Sequence, residues 1–146
     1  MSAPLYNSEI LRLAANIPHH HRLAQPDATV ERRSPTCGSR VTVDVRLRED
    51  GALGDLGMEV RACALGQASA ALMAGHAPGL DGAALDKAAG CLRALLLGES
   101  DDTDFWPGVA VLARARDYPA RHPSILLAFD AVAEAVRLAR SQGAAA

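Results

Sequence analysis

The sequence predicts an α+β fold, a three-stranded antiparallel sheet with helices packed on one face. Three observations carry this expectation. Residues 40–48 alternate apolar and polar side chains without a break. After an Asp50-Gly51 turn, Leu56, Met58, Val60 and Ala62 alternate again. Helical spacing then takes over most of the remaining chain. Strands grouped together with helices after them differ from the alternating order of βαβ units.

The elements follow in chain order. Asn7 or Ser8 can cap a first helix, and Glu9 suits its positive end. Ile10, Leu13, Ala14 and Ile17 recur at helical spacing, and Pro18 stops the run. Pro26-Asp27 turns the chain into a first strand over residues 28–33. In the second strand Val41, Val43, Val45 and Leu47 share one face, which should be buried. Arg40, Thr42, Asp44, Arg46 and Arg48 share the other, which should be wet. The returning strand completes a meander. Residues 66–73 are small and apolar, suiting a helix close against the sheet, and the Gly75–Gly79 stretch breaks it. Asp81 caps the next helix, whose stripe runs Ala84, Leu85, Ala88, Cys91, Leu92, Leu95. An acidic connector spans residues 98–104, and a short apolar segment runs from 109 to 115. Pro123 and Ser124 open the longest helix, with Ile125, Phe129, Val132, Val136 and Ala139 on one face. The tail after Ser141 should fray.

Composition narrows the function. The 146 residues fit one domain, 1–146, with 49% apolar residues to build its core. Aromatics make up only 3%, so that core must be mainly Leu, Val and Ala. A net charge of -2 without a Lys/Arg block argues against a nucleic-acid partner. No apolar run approaches the roughly 20 residues needed to cross a bilayer. The first residues lack a signal-peptide pattern, and an odd number of cysteines suggests reduced thiols. The expected location is the cytoplasm.

The chemistry concentrates on Cys37 and Cys63, which flank the second and third strands. Cys37 sits in a Pro-Thr-Cys-Gly turn, where Gly38 frees the backbone. Cys63 ends a strand and begins a helix, a position whose free amides favour anionic groups. Neither belongs to a Cys-x-x-Cys pair, so a zinc ribbon is excluded. Cys91 lies on an apolar helix stripe and reads as a structural cysteine of the core. The His19-His20-His21 run reads as structural, because adjacent imidazoles point in different directions. There is no phosphate-binding loop of the Gly-x-x-x-x-Gly-Lys-Ser/Thr type and no Gly-x-Ser-x-Gly elbow. A thiol-dependent hydrolase or peroxidase, with His122 as the base for Cys37 or Cys63, stays open as a remote alternative.

The chain resembles the NifU-like (IscU/SufU) iron–sulfur cluster assembly scaffolds over nearly its whole length. The resemblance is carried in order by Ile10-Leu11, Asn16-Ile17-Pro18, Leu23 and Pro26-Asp27-Ala28. It continues through Pro35-Thr36-Cys37-Gly38 and the segment from Ala62-Cys63-Ala64 to Ala70. Pro119-Ala120-Arg121 and the run Leu127–Val132 complete it, and the extra residues between Gly98 and Asp117 are similar to the SufU-like branch. The same fold is implied as the one read from periodicity.

The resemblance also implies a site of three cysteines and one aspartate at one end of the molecule. Cys37 and Cys63 match the first two cysteines. Ser39 stands where the family has aspartate, and Ser124 where it has the third cysteine, so two of four ligand positions are replaced. A neutral hydroxyl is a poor ligand for zinc or iron. The expectation is a non-enzymatic scaffold-like protein that binds iron, a transient iron–sulfur cluster or zinc weakly or with a partner. The ligands would be Cys37 and Cys63, with His122 as a further candidate. Implied partners are a cysteine desulfurase and other cluster-assembly proteins. A homodimer pooling thiols, a sulfur relay, and a metal-free regulatory role are the alternatives.

Overall fold

A computed structural model of the chain describes residues 7–35 and 38–144. Its elements are α1 (Ser8–Ala15), β1 (Ala28–Arg33), β2 (Arg40–Leu47), β3 (Leu53–Arg61), α2 (Ala64–His76) and α3 (Gly82–Leu96). Two 3-10 turns, Val109–Asp117 and Pro119–Arg121, lead into α4 (His122–Ala144). Among the described residues there is one sheet, in the order β1-β2-β3 and antiparallel throughout. The expected α+β meander is the observed one.

The helices lie on one face of that sheet. α4 packs across β1 and β2, α2 packs beside α4 and against β3, and α1 covers α2. α3 packs on the outer side of α4. Val41, Val43 and Val45 are fully buried beneath Phe129, Val132 and their neighbours in a continuous apolar core. The aromatic content is small but central. Trp106 donates its indole N–H to the Leu72 carbonyl at 2.7 Å and meets Phe129 edge-on, with 5.1 Å between ring centroids.

Local chemistry sets the helix ends. The Asn7 side chain accepts the Ile10 N–H, and the Asp81 side chain accepts the Ala84 N–H, both at 2.9 Å. α1 is shorter than its apolar spacing suggests. It ends at Ala15, and Ile17 packs against the core from the connection beyond it. α4 does not fray after Ser141 but runs to Ala144. Cys91 is half-buried and outside the core cluster, because α3 turns Leu85, Ala88, Leu92, Leu95 and Leu96 inward instead.

The outer face of the sheet departs from the alternation rule. Asp44, expected to be wet, is completely buried. The segment around the histidine run folds over it. The Arg22 guanidinium binds both Asp44 carboxylate oxygens, at 2.7 and 3.1 Å, and the Leu23 N–H and Thr29 hydroxyl donate to the same group. Burial pushes this carboxyl up, but the bonds from Arg22, Thr29 and Leu23 outweigh it and hold it below its ordinary value. The Asp44 bond likewise raises Arg22.

The histidine run serves this cover. The carbonyls of His19 and His21 both accept the Met58 N–H, and His20 Nε2 accepts the Val60 N–H at 3.3 Å. The free edge of β3 is thereby closed. Gly57 makes the crossing feasible: a Cβ there would lie 2.5 Å from the His21 carbonyl oxygen. No helix among the described residues is long and apolar enough to cross a membrane.

Candidate functional site

Connectivity brings three chain positions to one end of the sheet: the entry into β2, the exit from β3 into α2, and the start of α4. The Ser34 N–H donates to the Ser39 carbonyl at 2.8 Å and closes the connection between β1 and β2. Cys37, the first cysteine of the expected site, lies in that connection but outside the described residues. Ser39 itself is buried.

Cys63 is the N-cap residue of α2, with extended backbone, and its carbonyl accepts the Gln67 N–H. It is half-buried, and its thiol makes no cap bond to α2. It faces α4 instead, with Sγ 3.4 Å from Ser124 Oγ. The Ser124 hydroxyl, 1% exposed, reaches Ser39 Oγ at 3.0 Å. A chain of polar groups therefore runs from Cys63 through Ser124 to Ser39, linking an α2 start, an α4 start and a β2 entry.

Two features hold the helix starts together. The Ser69 hydroxyl donates to the Ile125 carbonyl at 2.6 Å, inside the core. Gly66, the third residue of α2, lets Ser124 lie directly over the helix. A Cβ at Gly66 would stand 2.5 Å from Ser124 Oγ and 2.8 Å from the Ala62 Cβ. This close approach had no signal in the periodicity, where Gly66 reads only as a small residue beginning a helix.

His122 is the first residue of α4, two before Ser124, yet its Nε2 bonds the Ala115 carbonyl at 2.8 Å. Only Nδ1 is left for any ligand. The imidazole is not the hydrogen-bond partner of the Cys63 thiol; Ser124 is. The thiol–imidazole pair that a cysteine hydrolase needs is not formed by these two residues.

The donor set can be judged for a metal. Around Ser124 it comprises one thiol and two hydroxyls that bond to one another. Among the described residues no group of three or more His, Cys, Asp or Glu side chains is placed to hold an ion. Structural zinc is held by four N, S or carboxylate ligands, and clusters are held mostly by thiolates. The described residues alone do not fit such a group. A second thiolate from Cys37 or from another protein would be required.

The fold defines a class: small α+β proteins with helices packed on one face of a three-stranded antiparallel sheet. The solved structures agree with it. The N-terminal part of a nitrogen-fixing NifU-like protein from Brucella abortus is 37% identical, with a TM-score of 0.88, over 94% of this chain and 96% of that one. The chain belongs to the NifU-like family. The fold also matches a protein from Fervidobacterium islandicum named as an iron–sulfur cluster assembly scaffold for the SUF system. That likeness has 20% identity and a TM-score of 0.83, over 90% of this chain and 96% of the other. A hypothetical protein of the same fold is 24% identical, with a TM-score of 0.80. No family model and no curated protein matches the chain.

Proposed function

We propose that this protein is a scaffold-like member of the iron–sulfur cluster assembly machinery that handles iron or a cluster as transient cargo rather than as a resident cofactor. The observation that carries the reading is the gathering of Cys63, Ser124 and Ser39 at one corner of a NifU-like fold. Cys37 and Cys63 are the thiol donors in this reading. Ser39 and Ser124 leave the site short of ligands, so retention depends on a partner protein or a second copy of the chain. A cysteine desulfurase supplying sulfur, other assembly proteins and a cytoplasmic setting belong to the same proposal.

Anaerobic reconstitution with ferrous iron and sulfide tests it. A visible absorption band with iron and sulfide bound is expected, and both should be lost in Cys37→Ala and Cys63→Ala. A protein that retains neither iron nor sulfide, alone or with a desulfurase, would overturn it.

One observation favours a second reading, sulfur relay. The Cys63 thiol is half-buried, and its hydrogen-bond partner among the described residues is the Ser124 hydroxyl, so it can react without leaving a metal. Its thiolate would attack the outer sulfur of a donor persulfide, forming Cys63–S–SH and releasing the donor thiolate. Intact mass after incubation with a desulfurase and cysteine should show one added sulfur that Cys63→Ala abolishes. An unmodified wild-type mass rejects relay.

A further inference from the structure

The outer face of the sheet carries a second feature at the same end as Cys63. Register places Arg33, Arg40 and Arg61 side by side in one row across all three strands, with Glu31, Thr42 and Glu59 in the next row. Arg40 directly follows Ser39, and Arg61 lies two residues before Cys63. The row therefore borders the site, on the face that the helices leave uncovered.

Like charges directly across a ladder oppose folding. The neighbouring glutamates offset this only loosely. Glu31 stands 3.5 Å from both Arg33 and Arg40, while Glu59 stands 3.5 Å from Arg61 and 3.9 Å from Arg40. Elsewhere among the described residues, arginine–carboxylate pairs close to 2.7–3.1 Å as hydrogen bonds. Arg33 and Arg61 are 65% and 70% exposed. Three guanidinium groups against two carboxylates leave net positive charge, and the planar donors of Arg33 and Arg61 stand open to solvent on either side of the more covered Arg40. Guanidinium forks match carboxylates bidentately.

We infer that this arginine row is a docking surface for an acidic protein segment, one that presents several Asp or Glu carboxylates along the sheet end beside Cys63. Charge complementarity selects the occupant. The spacing between neighbouring strands, about 4.8 Å, sets the pitch of the row, and the long arginine side chains can splay from it to the same-side carboxylates of one extended acidic stretch, about 6.7 Å apart. Such a surface would guide a partner to the thiol and act mainly on encounter rate and orientation. It depends on the sheet alone and stands whether or not the site takes up iron.

The probe is a twelve-residue peptide of alternating Glu and Ser, titrated into the full chain and followed by amide and arginine Nε shifts. Shifts centred on Arg33, Arg40 and Arg61 are expected, with affinity falling steeply between 50 and 300 mM salt, as the screening length shortens to about 6 Å. R33Q/R61Q should weaken binding at least about fivefold, and R33K/R61K, which keeps the charge but not the fork, should recover only part of it. Both positions are exposed, so the fold should survive, and an unchanged spectrum elsewhere verifies this. Shifts centred on another surface overturn the inference, as does equal affinity in R33Q/R61Q. Tighter binding of a single-stranded RNA of the same charge would also overturn it, in favour of a nucleic-acid surface.

Discussion

Placing an aspartate at Ser39 and a cysteine at Ser124 should convert this corner into a strong metal site. The perturbation is Ser39→Asp with Ser124→Cys. Two sulfurs bound to one zinc at about 2.3 Å each, in tetrahedral geometry, stand about 3.8 Å apart. Cys63 Sγ already lies 3.4 Å from Ser124 Oγ, and Ser124 Oγ lies 3.0 Å from Ser39 Oγ. The substituted groups would therefore meet one ion after shifts of a few tenths of an ångström. Structural zinc sites release about 10–16 kcal/mol over four ligands, or roughly 3 kcal/mol per ligand, which is about a hundredfold in affinity. Two ligands should strengthen binding by at least about a thousandfold, even after strain at Gly66. Competition against a chromophoric zinc chelator reads this directly, and metal content of the purified variant checks it. If affinity rises less than tenfold while the variant stays folded, the site is not built from these positions.

Three further outcomes follow from the packing. Gly66→Ala gains about 1 kcal/mol of helix propensity but drives a methyl group into Ser124 and Ala62. The clash should prevail, costing about 1–3 kcal/mol in urea unfolding, with Ser124→Ala recovering part of it. Asp44→Asn should cost about 2–3 kcal/mol, at the lower end for a buried ion pair because Arg22 is half-exposed. Asp44 is held below its unfolded value near 3.9, so its contribution is present above that pH and lost as pH falls through the folded value. Denaturation at pH 7 and pH 3 should therefore show a smaller acid loss in the Asn variant than in the wild type. Trp106→Phe removes the indole donor to Leu72 and should lower stability by about 1–3 kcal/mol in thermal unfolding followed by circular dichroism.

Much of the fold could be read from local pattern. The alternation of Val41, Val43 and Val45 dictates a strand with one buried face, and Asn7 and Asp81 cap the helices they precede. Asp44 could not be read, because a wet-face position in an antiparallel strand is buried only when a distant segment folds over it. That segment is the His19–Leu23 stretch, and nothing in its own periodicity points at a carboxylate 21 residues beyond Leu23 or at an edge-strand amide 37 residues beyond His21. Cys91 shows the converse. Its spacing places it on an apolar stripe, but the stripe is wider than the surface that α4 can cover.

The corner around Cys63 divides in the same way. The sequence alone determined that Cys63 would cap a helix, that Ser124 would open another, and that Ser39 would lead a strand, because each depends on local turn and helix-start chemistry. Only the tertiary structure decided that their side chains meet within 3.4 Å. That meeting depends on Gly66 letting α4 lie against α2 and on the register of β2 with β3, which are distances between elements rather than properties of any one of them. Local sequence fixes which way a chain turns, whereas contact between distant residues is settled by how the faces so formed pack.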